Sequence, residues 1–120
     1  MALNNYAYYL SVRGEQLEKA ELMSSKVIQA NPDNPTYLDT HAWVLFMKGE
    51  YRLAKFYIEN AIKNGGESSE VVVEHYGDIL FKLNDIDKAM EQWQKSLEMG
   101  NTSETLKKKI AEKKYIAEVE

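Results

Sequence analysis

LDTHAWVL, residues 38–45, carries a spacing of residue types that occurs twice more in the chain. Its large residues occupy the first, fourth and eighth positions, and a small residue occupies the fifth. LNNYAYYL (3–10) and VEHYGDIL (73–80) repeat this pattern, each displaced by 35 residues from the middle copy. Spacings of 3, 4 and 7 place the four positions on one face of a helix. The sequence therefore predicts the same amphipathic helix three times, and His41 is a position in this repeat rather than part of an active site.

A second helix follows each of these helices, and an alanine marks it. The segments EKAELMSSKVI, RLAKFYIENAI and DKAMEQWQKSL carry the marker residues Ala20, Ala54 and Ala89. Gly14, Gly49 and Asn84 stand in the turn inside each pair, because these residue types tolerate the left-handed backbone that ends a helix. The stretches NPDNP, NGGESS and GNTS separate one pair from the next. Small residues in both helices predict that the two helices of a pair approach closely.

The composition favours a helical protein and excludes several classes of function. The chain has 120 residues with 6 Gly and 2 Pro, which is few for a loop-rich or all-β fold. It has no cysteine, so disulfides and thiolate chemistry are excluded. A net charge of -4 argues against nucleic-acid binding. The longest apolar run, AWVLFM, is far too short to span a membrane, and the N-terminal residues lack the pattern of a signal peptide.

Two helices in a unit of about 34 residues are the signature of the tetratricopeptide repeat, and the chain resembles three such repeats. We expect a single domain, 1–120, with repeats at about 2–33, 35–67 and 69–101 and a capping helix at about 103–119. The resemblance implies an all-α, right-handed solenoid of three helix pairs plus that helix. NPTYLDTHAW and EHYGD are similar to repeat variants in long bacterial proteins, which implies a parent protein that is exported or lipid-anchored.

The same resemblance implies that the first helix of each pair lines the concave side of the solenoid. The residues expected to face this groove are Asn4, Tyr8, Asp39, Trp43, Phe46, Met47, Glu74, Asp78, Phe81 and Lys82. Trp43 is expected to be partly exposed, since Val44 and Leu45 already supply the core side of its turn. Aromatic side chains flanked by charge are typical of protein-binding surfaces.

The charges in this groove indicate the kind of partner. Repeats that grip a C-terminal carboxylate carry Lys and Asn at the corresponding positions, whereas this chain has Asp39, Glu74 and Asp78 there. A carboxylate clamp is therefore not expected. We expect a protein or peptide partner with Lys or Arg beside apolar side chains, bound as an extended segment or a helix.

Other chemistry finds little support in the sequence. His75 and Asp78 are three residues apart on a helix and can touch, but a third metal ligand would have to come from another helix. A surface His–Asp contact is the simpler interpretation. No Gly-rich phosphate loop follows a strand, so neither an enzyme nor a cofactor is predicted. The lysines of residues 107–114 are mixed with glutamates, which favours a solvated capping helix over a contact with nucleic acid or membrane.

An alternative function is structural. Leu3, Tyr6, Tyr9 and Leu10 are expected to form an apolar face at the N-terminal end of the solenoid. A preceding repeat could cover this face, in which case the chain is the C-terminal end-cap of a longer solenoid that binds elsewhere. A homodimer formed by pairing two such faces is a further option.

Overall fold

The computed structural model describes residues 2–118, and all regular secondary structure within this range is helical. The α-helices are α1 (Ala2–Arg13), α2 (Leu17–Ala30), α3 (Pro35–Met47), α4 (Tyr51–Lys63), α5 (Glu70–Lys82), α6 (Ile86–Glu98) and α7 (Glu104–Glu112). One turn of 3-10 helix, Gly66–Ser68, precedes α5. The pairs α1–α2, α3–α4 and α5–α6 pack within themselves and against the next pair, and α7 packs on α6. The predicted all-α solenoid of three helix pairs and a seventh helix is confirmed.

The small residues lie where the two helices of a pair meet. Ala42 and Ala54 are completely buried between α3 and α4. In the third pair, a Cβ atom added to Gly77 would lie 2.4 Å from Cδ1 of Trp93 on α6. A side chain at this position would collide with the indole ring, so glycine is what allows α5 and α6 to approach.

The helix ends follow from local chemistry. Gly14, Gly49 and Asn84 have positive φ angles of 69°, 84° and 67°, as the sequence predicts for the turns inside the pairs. At the start of α3, the side chain of Asn34 accepts a hydrogen bond from the backbone N–H of Tyr37 at 3.1 Å. Side-chain oxygens at the N-caps of α5 and α7 do the same, which defines where these helices begin.

The seventh helix is shorter than the sequence predicts. It ends at Glu112, where a helix to about 119 was expected, because Lys113 adopts a left-handed conformation with φ 56°. Residues 114–118, here called the C-terminal segment, then continue without helical structure. The ring of Tyr115 in this segment packs on Phe46 of α3, at 5.3 Å between ring centroids. The end of the helix allows this aromatic ring to be buried, and a helix that continued past Lys113 would lose that burial.

None of the helices within residues 2–118 is long and apolar enough to cross a membrane.

Candidate functional site

Helices α1, α3 and α5, the first of each pair, line one side of the solenoid and enclose a cavity of about 500 Å³. We call it the A-helix cavity. Residues 101–103, α7 and the C-terminal segment complete its wall. Five of the residues expected in the groove line it, namely Tyr8, Trp43, Met47, Glu74 and Asp78. Asn4, Asp39 and again Tyr8 line an adjoining cavity of about 530 Å³, which we call the Asn4 cavity.

The expectation that Trp43 is partly exposed is wrong. Its side chain is 7% exposed, and Phe46 beside it is 4% exposed. The indole stacks between Phe46 and His75, with ring centroids 4.3 and 4.0 Å away. His75 comes from α5 and Tyr115 from the C-terminal segment, so residues distant in sequence cover this aromatic pair. Trp43 therefore contributes to the core as well as to the cavity wall.

Three of the expected groove residues contact other parts of the chain instead of the cavities. Phe81 stacks on Trp93 of α6, at 5.7 Å between ring centroids. Phe46 lies beneath Tyr115, and the ammonium group of Lys82 lies over the same tyrosine, 5.0 Å from its centroid. The C-terminal segment thus occupies the part of the expected groove next to the third repeat.

Two carboxylates of α5 share one cation within the chain. The ammonium group of Lys109 on α7 contacts Oε2 of Glu74 at 2.7 Å and Oδ1 of Asp78 at 2.9 Å. Trp93 also donates to Oδ1 of Asp78 at 3.0 Å. Burial raises the pKa of Asp78 to about 6, although Lys109 acts in the opposite direction. For these two carboxylates the chain itself supplies one cation, which balances only one of the two negative charges.

A second buried ion pair joins α3 to α5. Nδ1 of His75 lies 2.8 Å from Oδ1 of Asp39, and both side chains are buried. Burial lowers the pKa of His75, but Asp39 and the nearby Asp78 and Glu74 outweigh it and raise the pKa above its ordinary value. The sequence suggested a surface contact between His75 and Asp78, so the partner of His75 is corrected to Asp39. Within residues 2–118, no group of three or more His, Cys, Asp or Glu side chains is placed to hold a metal ion.

His41 occupies the structural position that the repeat pattern assigns to it. Its Nδ1 lies 2.7 Å from the hydroxyl oxygen of Ser24 on α2, and its ring packs edge-on against Tyr57 of α4. Tyr76, at the equivalent position of α5, donates a hydrogen bond to Glu59 on α4 at 2.7 Å. Both residues therefore join their helix to the second helix of the preceding pair.

Lys109 and Tyr115 are the residues that sequence reasoning missed. Lys109 is the last of three consecutive lysines, and its residue type does not distinguish it from its two solvated neighbours. The available signal was its position three residues after Leu106, which places it on the buried face of α7. Tyr115 gave no such signal, because its contacts depend on where the helix ends.

The N-terminal end of the solenoid exposes an apolar face, formed by Leu3, Tyr6 and Tyr9, which are 39%, 42% and 49% exposed. We call it the N-terminal face. The fourth residue expected there, Leu10, is buried with Ala20 and Val44 and belongs to the core. The ring of Tyr6 stacks on that of Tyr9 at 6.2 Å. The residues equivalent to Leu3 and Tyr9 in the later repeats are almost completely buried: Leu38, Val44, Val73 and Ile79.

Comparisons with known proteins agree with this architecture. The sequence model of the family described as "Anaphase-promoting complex, cyclosome, subunit 3" matches residues 14–96. No curated protein sequence matches the chain.

Several solved structures share the fold. The first TPR domain of Spaghetti (RPAP3), bound to the HSP90 peptide SRMEEVD, has a TM-score of 0.81 and 17% identity, over 93% of this chain and 87% of that one. The Sgt2 TPR domain from Aspergillus fumigatus has a TM-score of 0.81 and 20% identity, over 93% and 74%. The second TPR domain of human RPAP3, with the HSP70 peptide SGPTIEEVD, has a TM-score of 0.77 and 15% identity, over 92% and 91%. At these identities the likeness bears on the fold alone.

Proposed function

Because the chain belongs to the family described as anaphase-promoting complex, cyclosome, subunit 3, a tetratricopeptide-repeat family, we propose that it is a protein-interaction module. It binds a segment of another protein, extended or helical, in the A-helix cavity. The module is not an enzyme in this proposal, and it needs no cofactor. The solved structures with bound HSP90 and HSP70 peptides support a peptide as the type of ligand.

The A-helix cavity is the observation that carries this proposal. It stays open although the C-terminal segment covers the neighbouring part of the expected groove. Tyr8, Tyr9, Val12 and Met47 line it, and all four retain some exposure. Aromatic and apolar side chains in a concave site are what a protein partner uses as anchor points.

The charge of the site indicates which peptides it accepts. The peptides in the two similar complexes, SRMEEVD and SGPTIEEVD, end in acidic residues. In this chain Glu74, Asp78 and Glu118 line the A-helix cavity, and Lys109 is the only lysine or arginine among its lining residues. An acidic C-terminus would meet repulsion here, so the proposed partner carries basic and apolar residues.

Capture of a partner followed by mutation of the cavity tests the proposal. The purified chain is used as bait, the retained protein is identified by mass spectrometry, and its binding segment is mapped with synthetic peptides. Tyr8→Ala should then weaken binding by about tenfold or more, since an aromatic anchor is lost. Phe56→Ala is the matched control, because Phe56 is exposed on α4 and lines neither cavity. Equal affinities for both variants, with unchanged circular dichroism, would place the binding site elsewhere.

A second candidate function rests on the N-terminal face. At the equivalent positions of α3 and α5, the second helix of the preceding pair provides the cover, through Ser24 for His41 and through Glu59 for Tyr76. The N-terminal face has no such cover within residues 2–118. We propose as the alternative that this face packs against a further repeat or against a second copy of the chain.

A further inference from the structure

The Asn4 cavity lies beside the A-helix cavity and has a different chemical character. Residues from the N-terminal halves of α1 and α3 and from residues 65–72 line it. Most of its exposed wall is apolar, and side-chain amides, hydroxyls and one carboxylate are set into that wall. Asn5, Tyr8 and Val71 line both cavities, so a ligand in one can extend into the other.

Asn4 lines this cavity and leaves a buried hydrogen-bond acceptor unused. Its side chain is 4% exposed, and its Oδ1 is buried without a hydrogen-bond partner among the described residues. Within residues 2–118, no other buried side-chain oxygen or nitrogen lacks a hydrogen-bond partner. Buried polar atoms in folded proteins are nearly always hydrogen-bonded. A donor from outside the chain would satisfy this oxygen.

Asp39 supplies the one carboxylate among the residues that line the same cavity, and it forms an ion pair with His75. Its Oδ1 pairs with His75, and within residues 2–118 no hydrogen bond reaches its Oδ2. None of the residues that line the Asn4 cavity is a lysine, an arginine or a histidine. Glu74 and Asp78 differ in this respect, because both contact the ammonium group of Lys109. The ring of Tyr8 adds a wall of the kind that attracts cations.

An anion is a poorer match for this cavity. The N-terminal ends of α3 and α5 lie beside it, and a helix N-terminus attracts negative charge. However, the side chain of Asn34 caps α3 and that of Ser69 caps α5, and each already accepts a hydrogen bond from one backbone N–H at its helix end. A phosphate or carboxylate would also approach Asp39, which repels it.

We infer that the Asn4 cavity binds a lysine or arginine side chain of the partner, with Oδ1 of Asn4 and Oδ2 of Asp39 accepting its hydrogen bonds. This inference rests on the proposed function, since the rest of the bound segment occupies the A-helix cavity. An ammonium group offers three donors and a guanidinium five, so either can serve both acceptors at once. Partners without a basic residue at this point leave both oxygens unsatisfied and bind more weakly.

A pair of small probes tests the inference on the full chain. Acetyl-arginine methylamide carries the guanidinium, and acetyl-citrulline methylamide has nearly the same shape without the charge. Each is titrated while the amide resonances of Asn4, Asn5 and Thr40 are followed by NMR. We expect saturable shifts with the arginine probe and about tenfold weaker binding, or none, with the citrulline probe.

Two variants assign the effect to the two oxygens. Asp39→Asn removes the charge, and Asn4→Leu removes the buried acceptor without touching the pair between Asp39 and His75. Both should lose about tenfold or more in affinity for the arginine probe. Asp33→Asn, on the exposed loop between α2 and α3, is the charge-matched control and should bind normally. Asn4→Leu should also raise the thermal midpoint, so weaker binding by this variant does not reflect unfolding.

The inference is wrong if citrulline binds as well as arginine, if inorganic phosphate shifts the same resonances, or if Asn4→Leu binds the arginine probe normally. The proposed function can fail separately. If the arginine probe binds as expected but Met47→Ala, which changes a residue that lines the A-helix cavity alone, leaves the captured partner's affinity unchanged, the subsite stands and the groove proposal falls. If Tyr8→Ala weakens the partner while both subsite variants bind the arginine probe normally, only the subsite is overturned.

Discussion

His75 and His41 occupy structurally different buried environments, and their protonation is expected to act on stability in opposite directions. Asp39 contributes most to raising the pKa of His75, against the effect of burial. Burial lowers the pKa of His41, against the weaker effect of Glu21. A group with a raised pKa binds protons more strongly in the folded state, so it stabilises at low pH, and that contribution is lost as the pH rises through its folded pKa. A lowered pKa has the reverse effect.

The two histidines therefore act in separate pH ranges. Above the ordinary value of 6.5, the free energy of unfolding should fall with rising pH as His75 loses its proton. Below 6.5, protonation of His41 in the unfolded state should destabilise the fold as the pH decreases. Urea denaturation from pH 5.5 to 8.5 measures both effects. His75→Gln should flatten the upper part of the profile only, and His41→Gln should remove its own contribution below 6.5 only. An unchanged upper part in His75→Gln would contradict the Asp39–His75 pair.

At the scale of elements, Lys109 attaches α7 to α5 through a charge that is almost completely buried. Lys109→Met leaves Glu74 and Asp78 without their cation and should destabilise the chain by about 3 kcal/mol, as is typical when one partner of a buried ion pair is removed. The loss should be smaller at pH 5 than at pH 8, because the pKa of Asp78 is raised to about 6 and its protonation relieves the unpaired charge.

Lys108→Met is the matched control for this prediction. Lys108 is exposed and lies next to Lys109 on the same helix, so its replacement should change stability by no more than about 0.5 kcal/mol. Guanidinium denaturation of both variants gives the comparison. Similar midpoints for the two would mean that α7 is held by Leu106 and its apolar neighbours alone.

The elements also show how far sequence reasoning reaches. The helices, their pairing and their turns could be predicted, because a period of about 35 residues and the placement of Gly49 and Asn84 are local signals. Which side chains of the groove are buried or paired could not be predicted, because this depends on contacts between residues that are distant in sequence. Asp39 meets His75, and Asp78 meets Lys109, across 36 and 31 positions of sequence. Trp43 was expected on the surface for the same reason, since its cover comes from α5.

At the scale of the whole molecule, the N-terminal face is the feature that bears on association between copies of the chain. If two copies pair through it, light scattering should show a mass that rises with concentration. Tyr6→Glu places a charge at its centre, beside Lys19, whose ammonium group lies 5.5 Å from the Tyr6 ring centroid. This variant should stay monomeric over the same range. Phe56→Glu, also at an exposed aromatic position but on α4, should associate like the unmodified chain.

A constant monomer mass for all three proteins would exclude self-association through this face under those conditions. The version of the alternative in which a further repeat covers the face would then remain. That version predicts that a fused helix pair with a hydrogen-bonding side chain opposite Tyr6 raises the thermal midpoint. Ser24 and Glu59 are such partners for His41 and Tyr76.

The contact between Lys109 and the carboxylates of α5 has a mechanical consequence. In a solenoid each unit is held mainly by its neighbours, so unravelling starts at the end with the weaker attachment. The C-terminal end is fastened by a buried ammonium group and by Tyr115, whereas α1 packs mainly on α2 and α3 and leaves three large apolar residues in water. Under tension applied to both termini, the first pair of helices should therefore detach first. The C-terminal end, with its stronger attachment, should detach last.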